Sequence, residues 1–475
     1  MFTTTAVNDP LYVRFSDLTI ANGSGSETAG AIQVNSPDTS ETTTIELDNI
    51  VAYNNVNMQE SGGFINNNEI VTPGLLFFNV NNSVFRNNIS TDADGGVFAL
   101  SNVHATITNS LFEDNYADDD GGVFYGEDFR SLAIENCNFI GNYADDEGGA
   151  ILINGAYNGL YIENSSFLNN TSGYSGGAIT LWNEVSDFVI SESEFIGNST
   201  SDYGGAIFVE DESDVYFYNT KFVENSSGDY GGAVHFENYA DDFAIDFEFH
   251  HCDFINNSSD YGGAIMSYDD YDGRGKIYSS LFDGNTATSD GGAWYIDDDG
   301  DYHIESSTFI RNTASEAGGA IYNDDADYPG LRVVNSSLML NTANEYGGAI
   351  YNNDYLFIYN STISNNLADS SYGGINYADD MSSTVIAGNT SPDSPDLEYV
   401  VSSGNNFIGN LDSTGVFTID DYGMDWVGGY DNSTGGIISG DTNNVNTYSS
   451  AIDPQLVLVE EEENLPYLIA YPGSI

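Results

Sequence analysis

Residues 160–181 read LYIENSSFLNNTSGYSGGAITL, and the order of polar and apolar side chains in them decides the fold. Leu160 and Ile162 alternate with polar neighbours as in a β-strand; the phase then slips by one, and Ser165 and Phe167 resume the alternation. A one-residue slip inside a period-two pattern predicts a bend between two short strands. The slip recurs at Phe188, Ile190, Ser193 and Phe195, at Val215, Phe217, Thr220 and Phe222, and at Leu356, Ile358, Ser361 and Ile363. A third strand follows the glycine pair, as in GGAIFVE from Gly204.

The unit repeats along the chain. Gly-Gly pairs begin at 62, 95, 121, 148, 176, 204, 231, 262, 291, 318, 347 and 373, with gaps of 26 to 33 residues. Five to seven residues before nearly every pair stands an Asn that closes a Phe-x-x-Asn motif, such as FEDN at 112, FIGN at 139 and FIRN at 309. Later copies soften to LMLN at 338, ISNN at 363 and IAGN at 386. Three short strands in about 27 residues fit one coil of a β-solenoid, whereas leucine-rich and ankyrin repeats need helical segments that this pattern lacks. About 13 such coils, stacked at about 4.8 Å, predict a rod some 55–65 Å long. Residues 1–60 read as degenerate N-terminal coils, 61–395 as regular repeats and 396–475 as an irregular closing segment.

Stacking aligns equivalent residues in columns. The Phe residues predict an internal aromatic ladder, and the Asn residues predict bonds to backbone at a turn. A column of small side chains, from Ser83 to Ser361, contains both thiols of the chain, Cys137 and Cys252. Four coils separate them by roughly 19 Å, against a disulfide limit near 7 Å between Cα atoms. Both are therefore expected to be free and buried.

Composition narrows the functions. The 475 residues carry 74 Asp and Glu against 8 Lys and Arg, a formal net charge of -66. That charge repels nucleic acid and anionic lipid, whose binding depends on Lys and Arg. No stretch approaches the ~18 apolar residues of a membrane-spanning helix, so no membrane insertion is expected. The start, MFTTTAVNDP, lacks the basic and apolar regions of a signal peptide and reads as a mature or excised segment.

The GGAI motifs at 148, 176, 204, 262, 318 and 347, with GGAV at 231 and the paired Phe-x-x-Asn, resemble the polymorphic outer-membrane-protein repeat of chlamydial autotransporter passengers. The resemblance covers about 330 residues, from roughly 60 to 390. It implies an all-β, right-handed single-stranded parallel β-helix, with a role in adhesion, surface display or as a passenger domain. DLTIANGSGSETAGAI at 17–32 looks like a degenerate first coil. SSGNNFIGN at 402–410, DPQL at 453–456 and the final LPYLIAYPGSI look like the closing segment of secreted members. There the PGS usually continues, which implies a segment of a longer polypeptide. The repeat shares no catalytic residues, so none carries over.

Several constellations are candidates for chemistry. Two residues before the glycine pairs runs an acidic column: Asp119, Asp146, Asp202, Asp229, Asp260, Glu316 and Glu345. Stacked carboxylates at that spacing suit Ca²⁺ or Na⁺ between them; a solvated acidic face adapted to salt explains them equally simply. One residue before the pairs stand Tyr203, Tyr230, Tyr261, Tyr346 and Tyr372, a column able to grip sugars or another subunit, or merely to pack a turn edge. DDYDGRGKIY at 269–278 sets Arg274 and Lys276 beside Asp269, Asp270 and Asp272, the composition of a polysaccharide-lyase site or of a charge-balanced turn. His250, His251 and Cys252 suggest a metal, but alternation turns His251 outward and Cys252 inward, and Zn²⁺ needs three or four convergent ligands. Fourteen Asn-x-Ser/Thr sequons, among them Asn164, Asn198, Asn225, Asn335 and Asn360, are close to the number that so Asn- and Ser-rich a chain produces by chance.

Uniform coils predict a non-enzymatic extracellular or cell-surface element, such as an adhesin, stalk or filament subunit, because a rod needs repetition and an active site needs local exceptions. Self-association end to end, neighbouring domains of a larger chain and surface glycans are the partners this implies. A glycan lyase or hydrolase at 269–276 and a carbohydrate-binding module on the Tyr and Asp columns are the alternatives. A cleft converging on Arg274 separates the enzyme from the scaffold.

Overall fold

The computed structural model describes residues 2–5, 11–25, 29–35, 42–58, 61–67, 75–156, 159–211, 213–238, 244–269, 273–298, 300–324, 329–411, 416–419, 425–427, 437–440, 445–447, 456–461 and 464–470. The chain packs as two compact units, residues 1–229 with 233–245 and residues 230–232 with 246–475. The fold is a right-handed parallel β-helix of about 12 turns, with no helical segment among the described residues.

In the first unit, the coil that begins at Leu160 shows how sequence becomes shape. Its strand Leu160–Glu163 lies in register between Ser131–Glu135 below and the Phe188–Ser191 stretch above, all parallel. Ser166–Leu168 sits likewise between Asn138–Ile140 and Glu194–Ile196, and Ile179–Leu181 between Ile151–Ile153 and Ile207–Val209. The phase slip is the bend at Asn164, whose φ of 47° is left-handed; Asn169 at 53° makes the second bend and Gly176 at 58° the third. Asn tolerates that conformation better than other side chains, which explains its recurrence at the first two bends. At the third bend space also decides. A Cβ on Gly177 would meet the carbonyl oxygen of Gly205 at 2.2 Å, so the second glycine sets how closely coils stack.

Columns fill the interior of each unit. In the first, the rings of Phe112, Phe139, Phe167 and Phe195 stack with centroids 4.8, 4.6 and 4.7 Å apart. In the second, Phe254, Phe282 and Phe309 stack at 4.5 and 4.3 Å before the column turns aliphatic at Leu338 and Ile363. Cys137 and Cys252 are free and buried in the small-residue column, as expected. The backbone N–H of Cys137 donates to Ser165 Oγ, and that of Ser165 to Ser193 Oγ, both at 3.1 Å.

The asparagines do more than bond backbone at a turn. Along the ladder a buried Asn also donates Nδ2 to the Oδ1 of its counterpart one coil on, as Asn170 does to Asn198 at 3.0 Å and Asn285 to Asn312 at 2.9 Å. The last regular coil departs from the reading of the glycine pairs. Ile350 pairs with Ile375 and the Gly348 N–H donates to Tyr372 O, so Tyr372, with φ of 64°, occupies the place that Gly347 holds one coil earlier. Near the end of the chain, Leu456–Glu461 and Asn464–Ala470 pair antiparallel.

Candidate functional site

The acidic column is in register where it can be followed. The Asp146 N–H donates to Asp119 O at 3.1 Å, Asp229 to Asp202 O at 3.0 Å, and Glu345 to Glu316 O at 2.9 Å. Tyr174 interrupts it above Asp146 and Ser289 above Asp260, through the same coil-to-coil bonds. All seven carboxylates are exposed or half-exposed. Burial and then Asp146 raise the pKa of Asp119; burial and then Asp229 raise that of Asp202. Asp260 accepts a bond from Thr288 Oγ1. Among the described residues, no three His, Cys, Asp or Glu side chains converge as a metal site requires.

The tyrosine column is broken as well. Tyr230 and Tyr261 lie 5.5 Å apart, but Tyr346 pairs with Ser371 rather than with Tyr372. Tyr203 instead borders Phe208 and His235, at 5.9 and 5.5 Å.

Arg274 and Lys276 lie on the strand Arg274–Tyr278, in register with Asp246 and Glu248. Each is engaged there: Arg274 Nη1 is 3.6 Å from Asp246 Oδ2, and Lys276 Nζ donates to Glu248 Oε1 at 2.8 Å. Arg332 pairs with Asp301 on the next strands. This is an ion-paired sheet face, with Arg274 mostly in solvent. Asp270, Asp272 and the side chain of Asp269 lie outside the described residues. His250 meets Glu248 at 2.9 Å, while His251 is exposed at a left-handed bend and Cys252 is buried. A polar cavity of about 300 Å³ in the first unit, lined by Asn164, Ser166, Glu192, Glu194, Asn219 and Lys221, already has Ser166 bonded to Glu194 and Asn219 to Glu192.

A set of strongly perturbed carboxyls lies in a place the repeat does not single out. In the first unit the residue before the glycine pair is Asp94, Asp120, Glu147, Ser175 and Tyr203 in successive coils. The Glu147 N–H donates to Asp120 Oδ1 at 3.1 Å, and Ser61 Oγ to Asp94 Oδ2 at 3.2 Å. Burial, followed by Asp94, pushes the Asp120 carboxyl up to about 7. Burial, followed by Asp120 and Glu210, pushes Glu147 up to about 8. Glu210, on the strand after the glycine pair at 204, is pushed up to about 7 by burial and by Asp211 and Glu237. The indole N–H of Trp182 faces Glu147 and offsets part of its rise. Burial, with Asp94 next, raises the phenol of Tyr125 beside the same column. Acids and aromatic rings are thus gathered along one flank, with groups that hold or release protons near neutral pH. In the sequence Asp120 and Glu147 stand only as the last acids of the clusters DDDGG at 118 and DDEGG at 145, which read as part of the outer acidic column, because different residue types fill their position in other coils.

Two segments, residues 192–210 and 306–324, match the model of the Chlamydia polymorphic membrane protein repeat. Each matched segment runs from the left-handed residue at the first bend, Glu192 or Ser306, through the ladder Asn and the glycine pair into the third strand. The polymorphic membrane protein repeat therefore coincides with most of one structural coil. No curated protein matches the chain. Among solved structures, a PL6 alginate lyase in complex with a trisaccharide is similar over 97% of this chain and 85% of that one, at 11% identity and a TM-score of 0.32. A likeness of that degree carries no functional argument.

Proposed function

We propose that the chain is a structural or adhesive element displayed at the cell surface, with the β-helix as a scaffold. The observation that carries this reading is the polymorphic membrane protein repeat matching two coils of a uniform solenoid. The engagement of Arg274 and Lys276 by facing carboxylates supports it, since a lyase base needs to be free to meet substrate. In this reading cations of the medium, Na⁺ or Ca²⁺, screen the outer carboxylates, and the coils associate end to end with copies or neighbouring domains. The test is protease shaving of intact source cells, with an antibody to the chain and a deletion strain in an attachment assay. We expect loss of the chain from unlysed cells and weaker attachment by the deletion strain. Full protection until lysis would overturn the surface assignment.

A further inference from the structure

On the acidic flank of the first unit, Ser175 Oγ is buried with no hydrogen bond, and beside it Glu147 Oε2 and Trp182 Nε1 are buried and approach each other without closing a well-formed one. Buried polar side chains are nearly always partnered, so three together mark a place shaped for another molecule's polar groups. Ser175 is fully buried and Glu147 is 8% exposed. They face each other across a parallel bridge between successive coils, which sends both side chains out on the same side. Trp182 stands on the strand that follows the same turn, and its indole N–H is directed at the Glu147 carboxyl.

The donor set discriminates among ligands. An indole N–H only donates, a hydroxyl both donates and accepts, and a carboxyl accepts when ionised and also donates when protonated. A metal ion or an ammonium group would satisfy Glu147 but set its positive charge against the indole N–H. An anion would find no basic group among those that shift Asp120, Glu147 and Glu210, and would meet carboxylates as they ionise above neutral pH. A neutral hydroxyl answers all three atoms: it accepts from the Trp182 indole N–H and from the Ser175 O–H, and donates its own proton to Glu147. The flat faces of half-buried Trp182 and of Tyr203, which pairs with Ser175 on the following coil, suit the apolar face of a sugar ring.

We propose that Glu147, Ser175 and Trp182, flanked by Glu210 and Tyr203, form a subsite for an uncharged sugar, held by its ring hydroxyls. The inference deepens the adhesive side of the surface reading and rests on it for its biological meaning. It places ligand recognition in the exceptions to the repeat rather than in its regular columns.

The test uses the full chain with ¹⁵N-labelled tryptophan, whose three Trp residues give three indole signals. Trp182→Phe assigns one of them. The sample is titrated with neutral tetrasaccharides of glucose, mannose and galactose, and separately with oligoalginate and with CaCl₂. We expect the Trp182 signal to shift with at least one neutral tetrasaccharide, and affinity for that sugar, read by titration calorimetry, to fall tenfold or more in Ser175→Ala and in Trp182→Phe, with melting little changed. Three results would overturn the proposal: a signal unmoved by every neutral sugar, as when only water occupies the site; an equal response to oligoalginate or Ca²⁺; or undiminished affinity in both variants. Because the titration uses purified protein, its failure leaves the surface reading standing. A chain found inside intact cells would sink that reading without altering the titration.

Discussion

Asn142 donates Nδ2 to Oδ1 of Asn170 at 2.9 Å, and its backbone N–H reaches the same oxygen at 3.0 Å. The same Nδ2 also donates to Phe112 O at 3.1 Å, while Asn142 Oδ1 accepts the backbone and side-chain N–H groups of Asn115. One fully buried amide thus ties three coils together. Asn142→Ala leaves a buried N–H and a buried carbonyl bare, and unfolding free energy is expected to fall by about 3 kcal/mol in guanidinium titrations. Asn164→Gly, at an exposed left-handed bend, is the control and should cost less than about 0.5 kcal/mol, since glycine adopts that conformation freely. Equal losses in the two variants would remove the ladder from the account of stability.

Two glycines separate conformation from space. Gly141 has φ of 61° at the second bend, where other coils use Asn, and a Cβ there would meet only the side-chain oxygen of Asp114. A Cβ on Gly149 would meet Gly177 O at 2.2 Å and Thr171 O at 2.5 Å, both backbone atoms that hold the coil spacing. Gly141→Asn should therefore change stability by less than about 1 kcal/mol. Gly149→Ala should cost about 3 kcal/mol or prevent folding, because the coils must move apart. Thermal melts of the two variants check the contrast.

What was legible in the sequence was whatever the fold demands of every coil. Phe139, Phe167 and Phe195 recur because one interior column must be filled, and Gly177 recurs because every coil approaches the next equally closely. The shift at Tyr372 is written in the sequence as Gly373-Gly374-Ile375, one residue short of GGAI, so the glycine pair taken alone gives the wrong register. Asp120, Glu147 and Trp182 were not legible, because each is particular to its coil. Their meaning comes from neighbours on adjacent coils, about 27 residues away in sequence, and from a burial that periodicity does not express. A search for the positions that break the repeat, rather than those that keep it, would have found them.

Cys137 and Cys252 should behave as inert thiols. Cys137 is 1% exposed, and burial pushes its pKa up to about 11, so little reactive thiolate forms at neutral pH. Neither cysteine is expected to react with Ellman's reagent within an hour in native buffer, and two thiols per chain should appear in guanidinium. Rapid native labelling of either would contradict the buried column.

The outer carboxylates should answer to ionic strength. Asp119 with Asp146, Asp202 with Asp229, and Glu316 with Glu345 face one another coil to coil, and repulsion between exposed charges is screened within about 10 Å at 0.1 M salt. The melting temperature should drop on dialysis into EDTA at low ionic strength. Sodium chloride should restore it as well as calcium chloride of equal ionic strength, because the described carboxylates meet in pairs rather than in threes. Rescue by calcium alone at sub-millimolar concentration would instead assign ions to the column. Unchanged melting throughout would remove carboxylate repulsion as a factor.

The buried flank should give the protein a pH dependence that salt does not abolish. Asp120 near 7, Glu147 near 8 and Glu210 near 7 all lie above the usual carboxylate value of about 4. Their folded forms keep protons that the unfolded chain has already released, so the unfolded state binds fewer protons between those values. Stability from these groups is therefore complete below about pH 4 and is lost as pH rises through 7 to 8. Exposed carboxylates push the same way, but 1 M NaCl shortens their reach to about 3 Å, whereas buried Glu147 and its half-buried neighbours Asp94 and Asp120 are screened less. In 1 M NaCl the denaturation midpoint should thus still fall between pH 5 and pH 8.5. Asp120→Asn keeps the acceptor for the Glu147 N–H, and Glu147→Gln keeps the side-chain shape. The double variant should lose at least half of that fall, and a slope as steep as the parent's would place the titrating groups elsewhere.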